Sequence, residues 1–481
     1  MSNEFILISA VLVPIAGACV LPLLGRVSPS GRNWFALALI LTSLACSIKL
    51  LPAALSGQPV MVSLSLPIGF KYIFAADGLA AFMAILSSFI SSVIMFYSFG
   101  YISHYANQDE YYAMVTMFLG AMMGLVFAAN LIVLYLFWEI TAIASWRLIG
   151  FFREKTQVLK ADKAFMVTIF GALLMLVGFI MIYQQTGSFD LAVIKEVLCG
   201  HSISGIAVLL ILAGIFSKSA TLPFHTWLPD AGVAPSPVTA LLHAAILVKI
   251  GVYVFARLFV VTITLAPFWH TFVLIVAAAS AIVAAGAALI DTDIKRIIAY
   301  STVSQIGFIF FGLAVDNKLA LAGALLYILM HGIAKAGLFL CAGIVEQNTK
   351  TKDITKLGGL ITTMPITAIS FLFCALSVMG IPPFGGFFSK YMVFAGAINA
   401  GRLGVSLVFL CGAFMTILYL FRVFNLVFLR PAKLFSVREG SFTMVTSVAF
   451  LGLFSLAAGI GINCFTGLVQ AVIANITQVI L

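Results

Sequence analysis

The chain has 481 residues, of which 63% are hydrophobic and only 9% charged. A soluble domain carries about 25% charged residues, so a water-soluble protein of this size is excluded and an integral membrane protein is required. The net charge of +10 does not call for nucleic acid, because its placement in loops accounts for it.

Fourteen apolar segments approach the ~20 residues that a bilayer needs. They lie at about 5–25, 34–54, 78–100, 111–129, 130–150, 163–184, 203–220, 237–262, 268–289, 298–315, 320–345, 363–399 (interrupted), 404–428 and 442–470. The expected fold is an all-α polytopic membrane protein. The first run follows Glu4 rather than a basic segment, so it reads as a retained helix and not a cleaved signal. Loops after odd-numbered spans hold fourteen basic residues, among them Arg26, Arg153, Lys160, Lys295, Lys352 and Lys433. The opposite side holds six. This positive-inside bias predicts both termini on the outside. The seven cysteines are scattered and form no CxxC or Cys/His cluster, which argues against disulfides, a metal or an Fe–S cluster in this chain.

Residues 1–105 read as three flanking helices, the third opened by Asp77 as its N-cap. Two helices follow, hinged near Asn130. The second carries Glu139 at its centre. An unpaired carboxylate at that depth costs about 2.5–3.5 kcal/mol, so Glu139 must be protonated or paired. A purely structural ion pair is the plainer alternative. Arg147, two turns later, is expected to snorkel to the interface.

The stretch FSKSATLPFHTWLPDAGVAPSPVTALLHAAILVKIGVYVFAR (216–257) places Lys218 beside Pro223, Pro229, Pro235 and Pro237. Proline lacks an N–H and clashes with the preceding turn, so the seventh helix must break here. Such breaks persist at membrane depth only where protein or a watery cavity satisfies the backbone. The next run carries His243 and Lys249. Asp291 and Asp293 open the tenth helix, where negative charge is favoured, and Ser301, Ser304 and Gln305 make a polar stripe along it. His331 and Lys335 are four apart and share one helical face, which reads as two stations of a relay. A second break follows at Gly380, Pro382, Pro383, Gly385 and Gly386, with Lys390 beyond it.

Two Pro/Gly-broken helices with associated lysines, 172 residues apart, are the sequence pointer to an inverted-repeat transporter. The expected division is 1–105 (helices 1–3), 106–262 (first inverted repeat, helices 4–8), 263–430 (second inverted repeat, helices 9–13) and 431–481 (helix 14). A spacer that transports nothing is the bland reading, but five intramembrane ionisable residues (Glu139, Lys218, Lys249, Lys335, Lys390) weigh against it.

FWEITAIASWRLIGF, KSATLPFHTWLPDAGVAPSPVTALLHAAILVKIGVYVFAR, DIKRIIAYSTVSQIGF, HGIAKAGLFLCAG and GIPPFGGFFSK together resemble the antiporter-like membrane subunits of respiratory complex I. That family also includes Mrp-type sodium/proton antiporters and group 4 membrane-bound hydrogenases. The resemblance covers about residues 70–430 and is greatest to the short hydrogenase-4-type subunit. It implies a helix-5 glutamate at Glu139 paired with the broken-helix-7 lysine, Lys218. It also implies a central lysine at Lys249 with His243 alongside, a helix-11 connection at His331 and Lys335, and an exit-side lysine at Lys390. Some relatives have glutamate at that last position, and many have an uncharged residue at Arg147. The implied function is proton or sodium translocation in the membrane arm of a complex I-like enzyme or group 4 hydrogenase. This chain would carry no redox cofactor; Fe–S clusters and redox centres would sit in partner subunits of a peripheral arm, next to further antiporter-like subunits in a prokaryotic cell membrane. The alternatives are a subunit of an Mrp-type sodium/proton antiporter and a membrane partner in inorganic-carbon uptake.

Overall fold

A computed structural model describes residues 2–65, 71–431 and 437–478. Lys433, counted above among the basic loops, lies outside the described residues, as do Met1 and residues 479–481 at the ends of the first and last expected segments. Among the described residues, twelve helices are long and apolar enough to cross a membrane. In chain order the spans are α1 (Asn3–Val27), α2 (Pro29–Leu55), α3 (Gly78–Tyr101), α4 (Gln108–Phe127), α5 (Leu131–Ile149) and α6 (Lys155–Thr186). The shorter α7 (Gly205–Lys218) is followed by α8 (Ser236–Thr262), α9 (Pro267–Ile290), α10 (Ile294–Ala314) and α11 (Lys318–Thr349). The two halves of α12 are Pro365–Met379 and Gly385–Asn399; α13 (Leu403–Phe424) and α14 (Phe442–Ile460) follow. The runs around Lys218 and Lys390 are thus the interrupted ones, as the prolines required.

The helices begin where short polar side chains can cap free N–H groups. Asp77 accepts from Ala80 N at 2.9 Å, Asn130 from Ile132 N at 2.9 Å, and Asp293 from Lys295 N at 2.9 Å. The hinge expected near Asn130 is this cap. Two features departed from the sequence reading. A hairpin of β1 (Val60–Ser65) and β2 (Lys71–Ala76) joins α2 to α3 where only helices had been expected. The last apolar run bends at Gly461 and continues as a second helix, Ile462–Gln478.

Burial sorts the helices into centre and periphery. In α10 and α11 94% of the apolar window is buried, against 33% in α13. The peripheral helices point large apolar side chains outward, such as Phe170, Phe414 and Ile290, a surface that lipid tails accept and water does not. The polar stripe Ser301, Ser304 and Gln305 is fully buried in α10.

Near the hairpin, Arg257 of α8 forms a two-pronged ion pair with Asp77 and also donates to the Tyr253 hydroxyl. Burial alone would raise the Asp77 carboxyl, but the Arg257 guanidinium outweighs it and holds the group below the usual range. A carboxyl held low in the folded state contributes stability above its unfolded value and loses it as the pH falls through the folded value. Arg257→Leu is therefore expected to destabilise the protein by about 3 kcal/mol, because it strands a half-buried carboxylate. Thermal unfolding in detergent would show the loss at neutral pH, and the gap from wild type should narrow as the pH falls below about 4, the carboxylate's unfolded value, and close only below the lower folded one.

Candidate functional site

The site begins at the break after α7. Pro223 cannot donate, so the chain leaves the helix, and neighbours take up the freed backbone groups. The Trp227 indole donates to Ser217 O at 2.9 Å, and Leu222 N donates to Ser280 Oγ of α9 at 3.1 Å. Pro229 lies in the short turn Trp227–Asp230 beyond the break. Lys218, the last residue of α7, is fully buried. Its amine donates to Trp138 O at 3.1 Å and sits 5.2 Å from the Trp138 ring centroid.

The expected Glu139–Lys218 ion pair is not closed. No carboxylate oxygen of Glu139 lies within 4 Å of the Lys218 amine, and Glu139 Oε1 is buried without a hydrogen-bond partner. Successive residues of a helix point about 100° apart. Trp138 faces Lys218 and is fully buried, so Glu139 is turned aside to a half-buried position near Tyr135, one turn earlier on its own face.

α8 holds the next two groups, and its irregular backbone places them. Residues Leu241–Ala245 form a π-turn that ends at Ile246, with φ −125° and ψ −76°. Such turns interrupt the regular ladder and recur at functional sites. His243 lies in this turn, fully buried, with both ring nitrogens unpartnered and its ring 4.4 Å from that of Phe339. The Lys249 amine folds back to donate to Ala244 O. It rests against Gly332 of α11, where a Cβ would stand 2.6 Å from Nζ. His331, the neighbour of Gly332, is also fully buried with both nitrogens unpartnered.

α8 reaches this depth because Gly251 lets it pack directly on the break; a Cβ there would meet Ile215 O at 2.6 Å. Gly251→Ala is expected to cost about 1–3 kcal/mol by overpacking, read as a lowered unfolding temperature in detergent.

Lys335, one turn after His331, donates to Ser301 Oγ at 2.6 Å and to Ile298 O at 3.1 Å, both on α10. From Ser301 the polar chain continues. The Tyr419 hydroxyl of α13 lies 2.8 Å from Ser301 Oγ, Gln305 Nε2 donates to Thr416 Oγ1 at 3.1 Å, and the Tyr327 hydroxyl donates to Gln305 Oε1 at 2.5 Å. Lys390 closes the row. Its amine stands 5.6 Å from the Tyr327 ring centroid and 4.8 Å from that of Phe308. It donates to Val378 O at 2.8 Å. That carbonyl belongs to the last turn before the break, where the backbone leaves acceptors free. Gly380, Pro382 and Pro383 make this second break; Gly380 has φ +83°, a conformation glycine adopts without cost.

All four lysines and both histidines are thus at most 5% exposed. Among the described residues none of these lysines forms an ion pair with a carboxylate; backbone carbonyls and hydroxyls hold them. Lys249 rests beside Gly332, the neighbour of His331, and Lys335 is one turn further along α11; hydroxyls and an amide extend from Lys335 to Tyr419 and from Thr416 to Tyr327, whose ring faces Lys390. Sequence reasoning found the ionisable groups but missed Tyr327, Thr416 and Tyr419, because a lone hydroxyl in an apolar run carries no spacing signal. It also missed the π-turn, which no proline announces. Arg147 stands apart, paired with Glu110 at the membrane-end of α4, in keeping with the interfacial role expected of it.

A family model described as "NADH:quinone oxidoreductase/Mrp antiporter, TM" matches residues 128–416, which encloses Glu139, the four lysines and both histidines. The chain is 34% identical over 463 residues to Na(+)/H(+) antiporter subunit A1 of Staphylococcus aureus, covering 92% of this chain and 55% of that protein. The same subunit from strain MRSA252 of that species matches equally. The chain therefore spans about half the length of the curated relatives it matches. Its fold is similar to a chain of the Mrp complex from Dietzia sp. DQ12-45-1b, with TM-score 0.88 and 22% identity over 99% of this chain and 98% of that one. It is likewise similar to a chain of the membrane-bound sulfane sulfur reductase, an archaeal respiratory membrane complex, with TM-score 0.90 and 22% identity over 99% and 98%. With its helices, its two breaks and its buried lysines in the matched region, the chain belongs to the NADH:quinone oxidoreductase/Mrp antiporter membrane family.

Proposed function

We propose that this chain is an ion-translocating, antiporter-like subunit in the membrane arm of a larger complex, moving protons along the row Lys218, His243, Lys249, His331, Lys335 and Lys390. The observation that carries this reading is the burial of four lysines that lack a carboxylate partner. Placing charge in a dry interior is costly, and a structural role would favour either closed ion pairs or apolar side chains. Amines and imidazoles that hydrogen-bond to carbonyls and hydroxyls can gain and lose protons one station at a time. Glu139, off its expected pair but next to Trp138, is the switch in this reading: it strengthens the hold of Lys218 on its proton when it swings toward the amine, and releases it when it swings away.

The energy for pumping comes, in this proposal, from redox centres in partner subunits of a complex I-like enzyme or group 4 hydrogenase. The basic loops face the cytoplasm of a prokaryotic cell, and both termini face outward. Residues 106–262 and 263–430 act as two inverted halves flanked by 1–105 and 431–481. The matched breaks and their buried lysines support that division.

A second reading is favoured by the similarity to the Staphylococcus aureus sodium/proton antiporter subunit: exchange of sodium for protons without a redox arm. Purifying the complex through a tag on this chain separates the two. Copurifying redox subunits are expected from the first reading. A set made only of membrane antiporter subunits, with transport that requires sodium, would establish the second. A soluble CO2-hydrating partner would overturn both.

A further inference from the structure

A buried polar cluster lies at the end of the bundle that carries the basic loops, outside the row described above. Lys295, in the first turn of α10, is only 1% exposed, although its place in the sequence marked it as a loop residue. Its amine donates to Ala234 O at 2.7 Å and to Glu346 Oε2 at 3.1 Å. Ser236, the first residue of α8, donates to the same Glu346 oxygen at 3.2 Å. The Glu346 side chain is 26% exposed, so one end of this cluster touches solvent and the other is sealed. Glu346 is also faced by the hydroxyl-bearing residues Tyr97, Tyr101 and Tyr105, and no cation other than Lys295 is bonded to it among the described residues.

The cluster and the row share α8. His243 lies seven residues after Ser236 on α8, and Lys295 and Lys335 are the two cations that act electrostatically on its ring. Both its nitrogens lack a partner. A neutral imidazole offers one donor and one acceptor nitrogen, and neither is taken in His243.

We infer that Glu346, Lys295 and Ser236 form the uptake site through which protons enter from the side of the basic loops and reach His243. This rests on the translocation reading above. The Glu346 carboxylate takes one proton from the aqueous phase. The Lys295 ammonium gives one of its protons to a His243 nitrogen and is refilled from the Glu346 carboxyl, so the net change is one proton moved from water to the imidazole. Ser236 orients the carboxylate oxygen toward the amine. A structural pin would need the charge pair but not its exchange.

The test uses the assembled complex in vesicles with the basic-loop side outward, and compares Glu346→Gln, Glu346→Asp and Lys335→Ala with wild type. Glu346→Gln is expected to slow coupled transport by about a hundredfold or more, the scale of losing a positioned proton-transfer group. A small weak acid such as formate added on the basic-loop side is expected to restore much of the rate, and Glu346→Asp to retain most of it. A Glu346→Gln complex that assembles and pumps at the wild-type rate, or a slowed one that no weak acid restores, overturns the uptake site. If Lys335→Ala also pumps normally, the translocation reading itself fails; if only Glu346→Gln is normal, the row stands and the entry lies elsewhere.

Discussion

Lys335→Ala is expected to abolish coupled ion transport, with a loss of at least about a hundredfold, as for removal of a positioned proton-transfer group. In the proposed relay the amine joins α11 to α10. It reaches Ser301 at 2.6 Å, and through Ser301 it reaches Tyr419. One turn earlier on the same helix lies His331, beside the glycine on which the Lys249 amine rests. Alanine removes the amine that joins α11 to the Ser301 hydroxyl and the Ile298 carbonyl of α10. Assembly should persist, since an alanine in a buried helix leaves the backbone unchanged and relieves a buried cation of its desolvation cost. Proton pumping by vesicles, with complex assembly followed on a native gel, checks it. Normal pumping by an assembled Lys335→Ala complex would sink the relay.

Lys218→Ala should give a loss of similar scale, also about a hundredfold, for a different reason. Lys218 sits at the end of a helix that has nowhere to go, with its amine on the Trp138 carbonyl and ring. Glu139 acts electrostatically on it, so in the proposed scheme its removal would uncouple the switch from the row rather than cut the row. Glu139→Gln is expected to show the same loss, because glutamine keeps the shape but not the charge. The pair of variants is informative together. If Lys218→Ala fails while Glu139→Gln pumps normally, Lys218 is a proton station and Glu139 is not its control.

Much of this was legible in the residues. The prolines at 223, 382 and 383 announced both breaks because a missing N–H is a local, unconditional constraint. Apolar run length announced the spans, since a bilayer demands about 20 residues whatever the neighbours do. The spacing of His331 and Lys335 placed them on one face by helical geometry alone, and both are buried there. Lys295 was misplaced because a basic residue at a helix start normally belongs to the loop. Here Ala234 and Glu346, 61 and 51 residues away, close over it.

What the chain determined by itself was that it lies in a membrane, where its helices must break, and which side chains are too costly to be there by accident. Each of these follows from a local penalty: charge in hydrocarbon, proline in a helix, too few apolar residues to span. What the folded bundle alone decided was partnership. Lys218 meets the Trp138 carbonyl instead of Glu139, and Ser301 bonds Lys335 and Tyr419 while Gln305 bonds Tyr327. Those contacts depend on how helices distant in sequence are rotated against one another, and that rotation is set by packing across the whole core rather than by any stretch of residues.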